Sequence, residues 1–420
     1  MNPSQNNMKE EIITNLDHPE QLERLYRADE SGFKNAFNNL FESLQGNPLA
    51  TFWHARLNYT REVTQGRSYD LVWVIMAALV AGLIAKLPSI LSIKEEFFYS
   101  RNIGFVIFPV LTSYFAWKNK LSPGKIIVTA CGILAGLLFI NFLPDVKKSD
   151  TLLLSCIHMI LWLWAILGFA FVGEEGNNMQ KRLGYLKYNG DLVVMTTLIV
   201  IAGAILTGVT FGLFSLIGWK IEQFYFEYII IFALPAAPIL GTWLTMSNPQ
   251  LVGKVSPVIA RIFSPLVLVT LVIYLVAIIF SGKDPYNDRD FLMIFNALLI
   301  GVMAIIFFSI AEMSKSTKNI TELWVLFLLS VVTILVNGIA LSAILFRISE
   351  WGITPNRAAV LGGNVLILIH LLLVTAQLER VLFGKTEISR VGKAIASYLP
   401  IYVLWTIIVT FIFPFIFSFK

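Results

Sequence analysis

His158, Asn296, Asn337, Asn364 and His370 each stand inside a long apolar run of this chain. A buried amide or imidazole is costly unless it is hydrogen-bonded, and more so where no water is at hand. Two kinds of chemistry are open to such groups. They can tie neighbouring helices together through side-chain hydrogen bonds, which needs no ligand. Alternatively they line a path for a polar solute or a proton, with Asn337, Asn364 and His370 as the substrate-binding candidates. No Asp or Glu lies at the centre of an apolar run, and Glu227, near the start of one, comes nearest.

The segment from Arg347 to Arg357 reads Arg-Ile-Ser-Glu-Trp-Gly-Ile-Thr-Pro-Asn-Arg. Gly352 permits a turn that a side chain would hinder. Thr354 is a suitable N-cap and Pro355 suits the first helical position, so a helix is expected to start there. Arg357 then falls in the first turn, where a cation opposes the helix dipole unless an anion is near. Arg347, Thr354 and Arg357 could therefore hold a phosphate or carboxylate, with lipid headgroups as the nearest supply. In the other reading both arginines anchor helix ends by snorkelling, and Trp351 is an interfacial aromatic.

Familiar catalytic patterns are missing, so no enzyme activity and no cofactor is expected. Gly384-Lys385-Thr386 resembles the tail of a phosphate-binding loop, but Glu379 stands where that loop needs glycine. His18, His54, His158 and His370 never fall at ligand spacing, and no metal site is expected. Asp284, Asp288 and Asp290 lack the glycine and distal glutamate of a calcium loop. The pairs Glu95–Glu96 and Glu174–Glu175 are the adjacent carboxylates that a surface enzyme would need, though neighbouring glutamates in a loop are ordinarily just solvated. Cys131 and Cys156 lie in apolar runs, and no disulfide is expected.

The elements that hold these residues follow from composition. Hydrophobic residues make up 56% of the chain and charged ones 14%, against about a quarter charged in soluble proteins. An all-α, polytopic transmembrane bundle of about 11 spans is expected, since some twenty apolar residues cross the hydrocarbon layer. The spans fall at 70–91, 102–117, 126–143, 151–172, 192–218, 224–246, 258–280, 291–311, 322–346, 356–378 and 397–418. The second is short and the fifth long. Pro235 and Pro238 each remove a backbone donor, and a kink or break is expected in the sixth span. Ala204, Gly208 and Gly212 on the fifth span, and Gly132 and Gly136 on the third, suit close helix packing inside the bundle or a homodimer face.

Residues 1–68 are polar and read as short amphipathic helices: a capping-box start at Asp17 and Glu20, a second helix from Ser31 to Gly46, and a third opened by Pro48. Their core is thin, so this segment is expected to dock on membrane lipids, on the membrane domain (69–420), or on a protein partner. No apolar signal-peptide stretch precedes the first span, which is expected to direct insertion. The net charge of +5 comes from Lys and Arg scattered at span ends, which points to topology and not to nucleic acid. Their larger share falls on the N-terminal side, including Lys118, Lys120, Lys125, Lys181, Arg182 and Lys187, so the N-terminus is expected in the cytoplasm.

The 347–357 segment is similar to the motif Arg-Ile-x-x-Tyr-Gly-Leu/Ile-Thr-x-x-Arg of a bacterial multi-pass membrane family catalogued only as a domain of unknown function. Arg347, Ile348, Gly352, Ile353, Thr354 and Arg357 match, while Trp351 replaces the tyrosine. The likeness is looser across roughly 260–375. It implies a bacterial inner-membrane protein and brings no activity. A permease-like transporter of a small solute, ion or lipid is the expected function; the alternative is a sensor or scaffold that recruits a partner through the N-terminal segment.

Overall fold

The computed structural model describes residues 3–44, 46–58, 63–146, 148–281, 286, 289–313 and 320–420. Asp284 and Asp288 lie outside them, as does the side chain of Asp290. The described residues form fifteen helices and no strand, in two compact units, residues 1–70 and 71–420.

The first unit holds α1 (Pro3–Thr14), α2 (Pro19–Ala28), α3 (Glu30–Leu40) and α4 (Pro48–Asn58). Asp17 does not cap α2; His18 occupies that position without a side-chain bond, and Pro19 starts the helix. Asp29 caps α3 instead, accepting from Gly32 N at 2.9 Å, and Asn47 caps α4 at Leu49 N and Ala50 N. Pro48 therefore opens a helix as expected. The core is fuller than three helices would give, because Ile12 of α1 joins Leu22, Phe33, Phe37, Ala50, Trp53 and Leu57. Trp53 meets Tyr26, Phe33 and Phe37, and the Arg56 guanidinium covers its outer face at 4.6 Å. Replacing Trp53 with alanine is expected to cost about 3–5 kcal/mol, most of what so small a core supplies. Limited proteolysis should then cut within 3–58 while the spans stay protected; unchanged resistance would mean that the core does not depend on Trp53.

The second unit is built from α5 (Val63–Leu91), α6 (Glu95–Lys118), α7 (Pro123–Phe142), α8 (Asp150–Val172), α9 (Met179–Leu216), α10 (Glu222–Ser247), α11 (Pro249–Ser281), α12 (Arg289–Met313), α13 (Ile320–Trp351), α14 (Pro355–Leu382) and α15 (Ile388–Ile416). Ten of these are long and apolar enough to cross a membrane. The chain is an integral, multi-pass membrane protein. The exception is α6, which carries Glu95, Glu96, Arg101 and Lys118. Arg101, Asn102, Phe105, Tyr114 and Phe115 on it are all buried, so neighbouring helices shield its interior polar groups, while Glu95, Glu96 and Lys118 are exposed at its two ends.

The two largest of the unit's apolar cores divide its helices between them. One joins α5, α6, α8, α9 and α10 through residues such as Ala81, Leu111, Tyr114, Leu167, Tyr188 and Ile239. The other joins α11 to α15 through Leu271, Phe295, Ile306, Val336, Leu371 and Ile395. Between them α9 reaches α12 and α15, where Gly190 lies against the Phe308 ring and Gly392 against Leu183. A side chain at either glycine would hold those helices apart.

Two expectations about helix shape change. Helix α10 runs unbroken through Pro235 and Pro238; its irregularity is a π turn at Phe226–Ile230, one turn before the first proline. Lys86 of α5 donates to the Glu227 carbonyl in that turn at 2.7 Å, giving a π-turn carbonyl a side-chain donor. The small residues also divide. Gly132 and Gly136 pack against Trp162 of α8, whereas Gly208 and Gly212 meet nothing within 4 Å. Close packing inside the bundle therefore holds for α7 and not for the outer half of α9.

Candidate functional site

The amides of three helices form one hydrogen-bonded set. Asn337 of α13 donates from Nδ2 to the Asn364 backbone carbonyl at 3.2 Å, and Asn364 Nδ2 donates to Asn296 Oδ1 of α12 at 2.8 Å. A carbonyl only accepts, so the Asn337 amide has one possible orientation. Its Oδ1 is then left without any partner, at 0% exposure. Helix periodicity sets this pairing. Ser330 and Asn337, two turns apart, share one face of α13, and Asn364 and Thr375, three turns apart, share one face of α14. The helices run antiparallel, so Thr375 Oγ1 meets Ser330 Oγ at 3.0 Å as a second polar rung.

His370 lies between those rungs on another face of α14, fully buried among the rings of Phe307, Tyr398 and Tyr402. Its Nδ1 is 3.1 Å from the Tyr402 hydroxyl, which is itself 3.4 Å from Met303 Sδ. Both contacts are made together when Tyr402 donates to the sulfur and accepts from Nδ1–H. That leaves His370 Nε2 as a buried acceptor with no donor. Thus Asn364 and His370 stand on α14 with Asn337 beside them on α13, and all three are closed off from solvent. His158 stays apart on α8 and bonds only its own helix, at Leu154 O.

Several charged groups of the unit are paired and buried between helices. Lys187 of α9 contacts Asp191 Oδ2 at 3.1 Å and also pairs with Glu312 of α12. Both carboxylates are more than nine-tenths buried. Lys187 lies within α9; Asn178 caps that helix at Gln180 N and Lys181 N, and it has run two turns before reaching the lysine. The i, i+4 spacing of Lys187 and Asp191 was the available sign of this pairing. Glu312, more than a hundred residues away, carried none. On the adjoining helices Arg261 of α11 pairs with Glu322 of α13, and Tyr188 shares a 2.8 Å hydrogen bond with Thr242.

Arg101 of α6 is buried. Its Nη1 donates to the carbonyls of Ile140 at 2.5 Å and Leu143 at 3.0 Å, and Nη2 lies 3.5 Å from Asp145. These carbonyls close the C-terminal end of α7, where a cation suits the helix dipole. Asn102, next along α6, exchanges two amide hydrogen bonds with Asn141.

At the 347–357 segment the backbone expectations hold: Gly352 has φ +74°, Thr354 caps α14 through Arg357 N, and Pro355 is its first residue. The arginines are engaged differently from an anion clamp. Arg357 Nη1 donates to Trp351 O at 2.9 Å and Gly352 O at 2.6 Å, capping the end of α13, while Arg347 Nε donates to Tyr286 O. Both guanidiniums flank the Trp351 ring. A shallow cavity of about 470 Å³ beside this turn is lined by Lys148, Asp150, Thr354, Pro355, Phe417 and Lys420, among others, and by neither arginine.

The Glu174–Glu175 pair is spoken for. The Ser122 backbone N–H and Lys125 hold the Glu174 carboxyl below its usual range, and Asn178 and Lys181 do the same for Glu175. Each thus anchors a helix start. No family model, no curated protein and no solved structure matches this chain.

Proposed function

We propose that this protein carries a small polar solute or ion across the membrane, and that the structure represents a closed conformation. The observation that carries this reading is the pair of buried, unpartnered polar atoms, Asn337 Oδ1 and His370 Nε2, deep in the second core. Native interiors rarely leave such atoms unmet, and each one calls for an explanation. A second conformation that admits solute or water meets their need. The meeting of the two cores supports motion between them, since it includes the Lys187–Asp191–Glu312 ion cluster. A buried ion cluster contributes little net stability beside apolar packing, and its best-attested use is in a register or switch. With the N-terminus cytoplasmic, as the Lys and Arg bias favours, that cluster closes the cytoplasmic end.

Cysteine accessibility tests the proposal. In a background with Cys131 and Cys156 replaced by serine, Asn337→Cys and Asn364→Cys are expected to react with a membrane-impermeant maleimide from one side of the membrane. Failure of both to react, while a loop control labels fully, would sink it.

A second role is favoured by one feature. Residues 3–58 have a core of their own, and their charged residues are more often Asp or Glu than Lys or Arg. Such a unit is a poor match for anionic lipid and a fair one for a protein partner. Deleting it should abolish partner recovery but leave insertion intact if the protein is a sensor or scaffold.

A further inference from the structure

We infer that the solute handled at this site is a hydrogen-bond donor, either a small neutral N–H or O–H compound or a compact ammonium-like cation, and that anions are excluded. This deepens the transport reading and rests on it. The inference comes from the polarity of what is left over in the second core.

Each donor of the amide set has a definite target. Asn337 Nδ2 is spent on a backbone carbonyl, which cannot donate in return, and Asn364 Nδ2 is spent on Asn296 Oδ1. The remainder at Asn337 is therefore an oxygen lone pair, independent of how the other amides are turned. At His370 the arrangement that makes both the Tyr402 and the Met303 contacts puts the ring hydrogen on Nδ1. The remainder there is a nitrogen lone pair. Asn364 and His370 are six residues apart on α14, about 9 Å along the axis, and Asn337 is hydrogen-bonded at Asn364.

Two fully buried acceptors thus stand at two faces of α14, one toward α13 and one toward α15, and each can take a donor. The rings of Phe307, Tyr398 and Tyr402 stand around the imidazole, and their faces attract positive charge. None of the side chains described in contact with Asn337 or His370 is a cation; Arg357 is committed to backbone carbonyls at the end of α13, and Arg347 to the Tyr286 carbonyl. A solute with donors satisfies both acceptors. An anion would add lone pairs to lone pairs. Sites built around buried hydrogen-bonding groups reject ligands that leave those groups unpaired, often by large factors.

The test uses the full chain in proteoliposomes, with urea, methylammonium and formate as flux probes. Urea or methylammonium is expected to permeate at least tenfold faster than formate, and Asn337→Leu, which keeps the branched shape without the amide, should erase most of that ratio, since one hydrogen bond is worth about a factor of ten. Asn337→Ser, which keeps an acceptor, should retain it. The maleimide assay on Asn337→Cys runs in parallel. Formate permeating as fast as the donors, or no probe permeating although the cysteine labels, overturns the donor assignment while the path stands. No flux together with no labelling overturns the transport reading itself. A donor preference that survives Asn337→Leu and His370→Phe together moves the selectivity away from these residues and refutes the inference.

Discussion

Replacing Lys187 with methionine is expected to destabilise the membrane domain by roughly 3–5 kcal/mol, the usual consequence of removing one member of a buried ion pair. Methionine keeps much of the length of the lysine stem, so packing beside Leu186 and Tyr188 survives and the charge is what is lost. Asp191 and Glu312 would then share a space that is over nine-tenths closed to solvent, without the ammonium between them. Like charges at such separation repel strongly in a medium of low dielectric constant. The loss should be recovered when all three charges go together, as in Lys187→Met with Asp191→Leu and Glu312→Met, because an apolar replacement of a buried ion cluster is commonly neutral or stabilising. Thermal unfolding in detergent measures both. A single variant with unchanged stability would mean that the cluster is hydrated; a triple variant as unstable as the single one would mean that packing, and not charge, holds α9 to α12.

The second large effect is expected at Arg101. Changing it to methionine leaves the carbonyls of Ile140 and Leu143 without their donor at the buried end of α7. Charge-assisted bonds contribute more than neutral ones, and an orphaned acceptor costs its full desolvation, so about 2–4 kcal/mol should be lost. Lysine should rescue only part of this, because a single ammonium lacks the planar fork that spans two carbonyls and Asp145. A full rescue by lysine would show that charge alone matters and that the geometry of the guanidinium does not.

The positions of the spans were legible because hydropathy is a local property. The apolar windows at 151–172 and 356–378, for instance, fall inside α8 and α14. Caps were legible where a single residue type decides them: Thr354 with Pro355, and Gly352 at a positive φ. Asp17 failed as a cap because α2 starts at Pro19, which puts His18 and not Asp17 in the capping position. The prolines of α10 were read as a kink or break; the helix continues through them, and a π turn that meets a lysine from another helix lies upstream. No local rule foresees that lysine.

The sequence by itself determined that this chain is a helical membrane protein, roughly where each span lies, and that Asn296, Asn337, Asn364 and His370 are polar groups in apolar surroundings. Those conclusions need only composition and periodicity. Which polar group meets which was decided by the tertiary structure. Glu312 finds Lys187 across 125 residues of sequence, and Arg101 finds the end of α7 across about 40. The leftover acceptors on Asn337 and His370 exist because their other atoms are engaged by neighbours that only packing supplies. A hydrogen bond is specified by position in space, and position in space is set by how helices distant in sequence come to lie side by side.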